Sequence, residues 1–230
     1  MTPSEQEIAA VGRVAIVGGT GEEGLGLALR WAAKGFDLII GSREDAKAQL
    51  AVAEIKERVP GANVEGAANP EAVALADVVV VTVPFVGQAP TYQSIGEHVQ
   101  PGAVLVDCTV PVATNVGAKV AHVLGVWEGS AAQQAQAFVP KGTKMCAAFH
   151  SLAASALNDT DAELEGDVLV CGSKSGKTKV KTLVESIPDL RYVDAGPLEN
   201  ARIIEPITAL LIGINHRYKT DRSGIKITGI

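Results

Sequence analysis

Between Arg13 and Arg30 the chain reads Arg13-Val-Ala-Ile-Val-Gly-Gly-Thr-Gly-Glu-Glu-Gly-Leu-Gly-Leu-Ala-Leu-Arg30, and this stretch constrains the fold more than any other. The β-branched run Val14 to Val17 breaks at Gly18 and Gly19, after which Leu25, Leu29 and Ala32 recur at helical spacing. The pattern predicts a strand, a tight turn and a helix. Gly19, Gly21 and Gly24 fall in the G-x-G-x-x-G register. One glycine answers the need for a sharp turn, one a close backbone approach to a pyrophosphate, and one tight packing of helix on strand. Unpaired N–H groups at the helix start would face the phosphates.

The next strand, Phe36 to Ile40, ends in Gly41-Ser42-Arg43, about 20 residues beyond the glycines. A site for NAD requires an acidic residue there to bind the ribose 2′-hydroxyl, whereas a site for NADP requires donors and positive charge. This chain carries a hydroxyl and a guanidinium, with Lys47 one turn further along. Arg43 can take a phosphate as a planar fork, and Ser42 adds a short donor without a repelling carboxylate. The plainer account is that Ser42 caps a helix starting near Glu44 and that Arg43 is solvated. The correctly spaced glycines favour NADP.

Strands and helices alternate through the rest of the chain. Glu44 to Arg58 is a charged amphipathic helix closed by Pro60 and Gly61. A short strand surrounds Val64, and Asn69-Pro70 opens a brief helix, with Asn69 expected as its cap. Asp77 to Val83 is apolar on both faces and stops at Pro84, as a buried parallel strand would. Its carboxyl end must lie beside the glycine turn, so Thr82, Val83, Pro84 and Phe85 are candidates for the floor of a nicotinamide-ribose pocket. For Pro84 and Phe85, terminating and plugging the strand is an equal alternative.

Further on, the pattern predicts a helix over Gln88 to His98, a strand over Ala103 to Asp107, and a helix over Ser130 to Phe138 within an Ala-, Gln- and Gly-rich stretch from Asn115 to Pro140. A strand at Met145 to Phe149 ends at His150-Ser151, and Val168 to Cys171 leads into a helix at Ser175 to Ser186 and a short strand near Tyr192. The last long helix, Leu198 to about Tyr218, places Ile203, Ile207, Leu210, Leu211 and Ile214 on one face.

Composition agrees with an α/β domain. Hydrophobic residues make up 47% of the 230 residues and aromatics 4%, so the core must be built of Val, Ala, Leu and Ile. A net charge of −6 argues against a nucleic-acid or anionic-membrane partner. The polar first dozen residues lack the pattern of a signal peptide, and no apolar run approaches a membrane span, so a cytoplasmic protein is expected. Cys108, Cys146 and Cys171 are too scattered for a metal site and read as buried apolar residues in a reducing compartment. No metal is expected. Cys171-Gly-Ser-Lys-Ser-Gly-Lys-Thr178 imitates a phosphate-binding P-loop, but Cys171 occupies the position of the first glycine and no acidic partner for magnesium follows. Its lysines are expected to be solvated.

Gly18 to Gly26, Gly41-Ser-Arg43 with Lys47, Ala148-Phe-His-Ser151, Asp194-Ala-Gly-Pro-Leu-Glu-Asn200 and Gly224-Ile-Lys226 together resemble the NADP oxidoreductases that use the deazaflavin coenzyme F420. The likeness runs in order over nearly the whole chain, and the Asp-Ala-Gly-Pro-Leu segment is its most specific part. It implies a Rossmann-like, doubly wound and mainly parallel sheet. Residues 1–149 would form the NADP-binding domain, and residues 150–230 a smaller C-terminal α/β domain completing the deazaflavin pocket. It also implies reversible hydride transfer between C4 of the nicotinamide and C5 of the deazaflavin. By the same resemblance Thr20, Gly21, Glu22, Glu23, Ser42, Arg43, Lys47, Val83 and Ala154 hold NADP, while His150, Leu152 and Ser223 lie near the deazaflavin. The partners would be small redox coenzymes and a second copy of the chain, as a homodimer. In one departure, the family carries a proline soon after the histidine where this chain reads His150-Ser-Leu-Ala-Ala154.

A hydride passing between two carbons needs two rings stacked with water excluded, and no nucleophile, metal or triad. The competing readings are an NADPH-dependent reductase of another small acceptor, such as a flavin, a ferric complex or an imine, and a non-catalytic NADP sensor. For the His150 side chain, a structural hydrogen-bonding role competes with one of orienting and polarising the deazaflavin.

Overall fold

A computed structural model describes residues 3–113 and 122–230 of the chain. Its centre is an eight-stranded sheet in the order β3-β2-β1-β4-β5-β6-β7-β8. The strands are β1 (Val14–Val17), β2 (Leu38–Ser42), β3 (Val64–Ala68), β4 (Val78–Val81), β5 (Val104–Asp107), β6 (Lys144–Ala147), β7 (Gly166–Gly172) and β8 (Leu190–Asp194). The first six are parallel, with Ile16 level with Ile40 on one side and Val80 on the other. Alternate residues of each strand enter separate cores. Val14, Ile16, Leu38, Ile40, Val78 and Val80 pack on one face, and Ala15, Val17, Ile39, Val79 and Val81 on the other. Both faces are therefore covered by helices, which is why these strands read as unbroken apolar runs. The strand order reverses between β1 and β4, the switch point where ligands of doubly wound sheets bind.

The helices are α1 (Glu5–Val11), α2 (Glu22–Ala32), α3 (Asp45–Arg58), α4 (Asn69–Ala74), α5 (Phe85–Ile95), α6 (Ala131–Gln136), α7 (Ala154–Asn158), α8 (Gly176–Glu185) and α9 (Ala201–Tyr218). Several differ from the sequence expectation. Helix α1 was not expected, although Ser4 and Glu7 form a complete capping box. Asn69 is the first residue of α4 and Ala68 its cap, because β3 runs on to Ala68. Helix α5 begins at Phe85, three residues early, since Pro84 is well suited to end a strand and precede a first turn. Of the stretch beginning at Asn115, residues 115–121 lie outside the described residues.

The face of α9 is also corrected. Ile203 and Leu210 are 64% and 63% exposed, whereas Ala201, Ile204, Glu205, Ala209 and Leu211 are buried. The Glu205 carboxyl oxygens accept the N–H groups of Ala131 and Ala132 at 2.8 and 3.1 Å, so a polar side chain turns inward and rotates the apolar stripe away from the core.

Strand β7 runs against β6 and pairs with it only through Cys146↔Gly172 and Ala147↔Cys171. Its earlier residues, from Gly166, therefore extend beyond the carboxyl edge of β6 and stand as a wall beside that edge. The C-terminal segment braces this wall: Asp167 N–H donates to the Ile225 carbonyl, and the Asp167 carboxylate takes Arg191 as a bidentate partner.

Candidate functional site

At the switch point, Gly18 takes the left-handed conformation at φ +82°, so the sharp turn falls there and not at Gly19. Gly19 is needed for space, since a Cβ on it would lie 2.8 Å from the Ile16 carbonyl oxygen. Gly24 is tighter still. A methyl there would meet Thr82 Oγ1 at 2.6 Å and the backbone of Gly18 and Gly19 at 2.8 Å. Gly21 is exposed, and the nearest atom to an added Cβ would be the Gly18 carbonyl oxygen at 3.3 Å. Gly21 is also the cap of α2, and no side chain caps that helix. The open backbone and the positive end of α2 thus meet at Thr20 to Glu23, which is the chemistry a pyrophosphate requires.

Glu22 and Glu23 stand in the first turn of the same helix. Glu23 keeps some solvent contact as a residue, but burial of its carboxyl, with a smaller contribution from the charge of Asp107, pushes it up to about 8. At neutral pH it is mainly uncharged and does not oppose an anion.

At the end of β2 the Gly41 carbonyl accepts the N–H groups of Gly18 and Gly19, both at 3.2 Å, which ties this edge to the glycine turn. Ser42 is buried, and its hydroxyl accepts the Glu44 N–H at 3.3 Å, leaving its own hydrogen free to donate. Arg43 is exposed. Lys47 is exposed too, but its ammonium is 2.6 Å from Glu44 Oε1 and so shares its charge with a neighbour.

The end of β4 reaches the turn as expected. The Thr82 hydroxyl donates to the Val17 carbonyl at 3.2 Å, and a Cβ at Gly18 would touch Val83 Cγ1 at 2.9 Å. Pro84 is exposed and caps α5. Behind them lies the buried Asp107, which accepts from Tyr92 Oη at 2.7 Å, Gln88 Nε2 at 3.0 Å and Thr109 N–H at 3.0 Å. Thr109 Oγ1 is shared between Asp107 and the Val83 carbonyl, at 3.3 and 3.4 Å. Burial raises Asp107 to about 6, with these donors holding it lower than burial alone would. The network fixes the Val83-Pro84 ledge to β5 and α5.

Ala154, the first residue of α7, arrives at the same place. Asn158 Nδ2 donates both to the Ala154 carbonyl at 2.8 Å and to the Glu22 carbonyl at 2.7 Å, which straps α7 to the start of α2. Arg30 fixes the other end through bonds to the carbonyls of Leu157, Ala156 and Ala162 at 3.1, 2.8 and 3.0 Å. Neither Asn158 nor Arg30 was singled out from the sequence, because each acts on carbonyls far away in the chain.

Beyond α7, Leu152 and Ser223 line one cleft of about 280 Å³ with Ala153, Ala156, Gly166 and Arg222. The protruding start of β7 forms one side of it. His150 lies behind this cleft, in a cavity of about 10 Å³ that shares Ser151 and Ile225 with the larger one. It is 7% exposed, its Nε2 has no hydrogen-bond partner among the described residues, and its carbonyl accepts from Thr208 Oγ1 at 2.7 Å. Burial lowers the imidazole to about 4, so it is neutral at physiological pH. Phe149 before it holds a left-handed φ of +69° and packs edge-on against Trp31, with ring centroids 5.6 Å apart. This strained residue turns the chain from β6 towards α9.

The P-loop look-alike has a different explanation from the one expected. Lys177 is buried and forms an ion pair with Asp194, with a further bond to the Gly196 carbonyl at 3.1 Å. It holds the Asp194-Ala-Gly-Pro197 turn in place and is not a solvated lysine. All three cysteines are free and buried. Among the described residues, no group of three or more His, Cys, Asp and Glu could hold a metal ion, and no helix is long and apolar enough to cross a membrane.

Residues 13–111 match the family model described as NADP oxidoreductase coenzyme F420-dependent. Over 223 residues the chain is 44% identical to the F420-dependent NADP reductase of Methanothermobacter thermautotrophicus, covering 95% of each protein. It is 39% identical to that of Methanocaldococcus jannaschii, covering 95% of this chain and 99% of the relative. Among solved structures, an Arthrobacter sp. FB24 protein provisionally described as an F420-dependent NADP reductase superposes with a TM-score of 0.78 at 27% identity, covering 94% of this chain and 99% of that one. Pyrroline carboxylate reductase of Plasmodium falciparum, solved with NADP bound, shares the fold at a TM-score of 0.57 and 13% identity over 90% of this chain and 65% of its own.

Proposed function

The chain belongs to the F420-dependent NADP reductase family, and from that premise we propose that its carboxyl edge holds the two coenzymes of a hydride transfer between NADP(H) and F420. The observation that carries the reading is the line of site residues along one edge of the sheet. Ser42 ends β2, the glycines follow β1, Thr82 follows β4, and His150 follows β6. Four strand spacings separate β2 from β6, about 19 Å, a length an extended dinucleotide and a second ring can share.

The residues fit both groups. The uncapped start of α2 and the open face of Gly21 suit a pyrophosphate, and the cleft beside Leu152 and Ser223 suits part of a planar ring system. Bound there, the coenzymes supply the hydride donor and acceptor. The protein positions and shields them. Thr20 to Glu23 meet the phosphates with backbone N–H groups, Gly19 and Gly24 allow the approach, and Ser42, Arg43 and Lys47 bind the 2′-phosphate. Thr82, Val83 and Pro84 floor the nicotinamide half, with Ala154 facing them from α7. Leu152 and Ser223 border the second ring. His150, neutral and with an unpaired Nε2, polarises that ring by hydrogen bonding and does not transfer a proton.

In this reading residues 1–149 bind the dinucleotide and residues 150–230 complete the second pocket. The exposed Ile203 and Leu210 of α9 support a homodimer, and three free thiols suit a cytoplasmic, reducing setting. Anaerobic mixing of the protein with NADPH and oxidised F420 tests the function through loss of the visible absorbance of the deazaflavin. NADPH should support the reaction and NADH should be much poorer. No bleaching with either nucleotide, from folded protein, would overturn the reading.

A further inference from the structure

Asn69 is 4% exposed, and among the described residues its Oδ1 has no hydrogen-bond partner. Buried polar atoms are nearly always satisfied, and leaving one unpaired costs stability, so an orphan beside a ligand site points to a group the ligand supplies. The place of this orphan is well defined. Ala68 pairs with Ser42 across β3 and β2, so Asn69 is the first residue past that pair, at the carboxyl edge. Its Oδ1 would lie 2.8 Å from a Cβ on Gly41, the residue whose carbonyl holds the turn at Gly18 and Gly19. The carboxamide thus overhangs the gap between the 2′-phosphate residues and the glycine turn, where Gly41 leaves it room.

We propose that Asn69 is a further binding residue, accepting a hydrogen bond through its buried Oδ1 from the 3′-hydroxyl of the adenosine ribose of NADP(H). The inference rests on the assignment of this edge to NADP. A ribose hydroxyl is the matching group because it donates to Oδ1 and, with the amide turned over, equally accepts from Nδ2. A phosphate could only accept, an adenine ring nitrogen could not satisfy an oxygen, and the adenine amino group, which could, lies at the end of the base away from the ribose, whereas Asn69 stands beside Ser42. Asn69 touches the nucleotide half alone, so it governs affinity and leaves the hydride step unaltered.

The test uses 2′,5′-ADP, which carries the ribose and the 2′-phosphate but no nicotinamide. Asn69→Leu keeps the shape and removes the polar end. It should weaken 2′,5′-ADP and NADPH by about 10-fold, equivalent to about 1.4 kcal/mol, while single-turnover hydride transfer at saturating NADPH keeps its rate. The melting temperature without ligand should hold or rise, because an unsatisfied buried atom has gone. A purely structural role predicts the reverse: a lower melting temperature and unchanged affinity in the folded fraction. Asn69→Asp serves as the second variant should leucine prevent folding. It retains an acceptor but sets a negative charge beside the 2′-phosphate, so it should lose more affinity for 2′,5′-ADP than for 5′-AMP. Affinity for 2′,5′-ADP within twofold of the unaltered protein in a folded variant would overturn the role of Asn69. Failure of the unaltered protein to bind 2′,5′-ADP would instead overturn the NADP edge, and this inference with it.

Discussion

The glycines of the β1 turn allow binding to be separated from folding with single methyl groups. At Gly24 an alanine Cβ would sit 2.6 Å from Thr82 Oγ1 and 2.8 Å from both the Gly18 carbonyl oxygen and Gly19 Cα. Thr82 can rotate away, but the two backbone atoms belong to the turn itself and cannot. Overpacking of this kind costs about 1–3 kcal/mol, and the better helix propensity of alanine returns up to about 1 kcal/mol, so Gly24→Ala should lose about 1–2 kcal/mol. For a chain of this size that is a fall in melting temperature of about 2–8 °C. At Gly21 the added methyl meets only one oxygen at 3.3 Å, and φ is −84°, which alanine adopts without strain. Stability of Gly21→Ala should stay within about 0.5 kcal/mol of the parent. Its methyl, however, would stand on the exposed cap where a pyrophosphate must approach, and NADPH affinity should fall at least about 10-fold, or about 1.4 kcal/mol. Thermal denaturation paired with NADPH titration by fluorescence reads both quantities on the same samples. Gly24→Ala as stable as the parent would refute the packing argument, and Gly21→Ala with unchanged affinity would refute the placement of the pyrophosphate.

Arg43→Ala should weaken NADPH by about 2–4 kcal/mol and leave NADH nearly unchanged, as competitive titration of the two nucleotides would show; equal losses for both would remove the 2′-phosphate assignment. Burial, with the charge of Asp107 adding to it, lifts Glu205 to about 8. The folded chain therefore keeps a proton that the unfolded chain releases above its ordinary value of 4.5, and stability from this group declines as pH rises towards 8. Between pH 7.5 and 8, where His150 is mainly neutral in both states, the melting temperature should fall with pH, Glu23 adding to the fall because burial lifts it to about 8 as well, and Glu205→Gln should reduce that slope; a rising melting temperature would contradict the protonated buried carboxyls. His150→Ala should slow single-turnover hydride transfer about 10- to 100-fold, or about 1.4–2.7 kcal/mol, with NADPH affinity within about twofold. Stopped-flow traces giving the parent rate would return His150 to a structural role.

What could be read from the chain was set by how far each residue's partners lie along it. The strand, turn and helix from Val14 to Ala32 and the strand at Val78 are decided by neighbours within a few residues, and both stand where their patterns placed them. The position of Ser42 and Arg43 at the end of β2 was legible for the same reason, being fixed relative to the glycines by one helix and one strand. The inward turn of Glu205 was not legible, because its partners are the N–H groups of Ala131 and Ala132, and helical periodicity counts a glutamate as polar surface. Lys177 misled likewise: its partner Asp194 reaches it only when β8 lies beside β7. The direction of β7 has no local signature, since a short apolar strand reads the same in either sense, and with it went the wall and the cleft. Asn69 reads as a helix cap in sequence. Only its place inside α4, one residue past the cap at Ala68, and its buried, unpaired Oδ1 among the described residues mark it as something else.

The double strap between α2 and α7 has a thermodynamic consequence. Asn158 joins the two helices at the mouth of the glycine turn and Arg30 joins them a few turns along, while Ala153 and Ala156 on the other side of α7 form part of the larger cleft. One hydrogen-bonded pair of helices therefore borders both halves of the edge. Order imposed on it by an occupant of either half is order the second occupant need not impose again, so each should raise the affinity for the other. Such coupling is necessarily reciprocal, by the same factor in both directions. Loosening either strap would then reduce the cooperativity of the pair before it reduced the affinity for either partner alone.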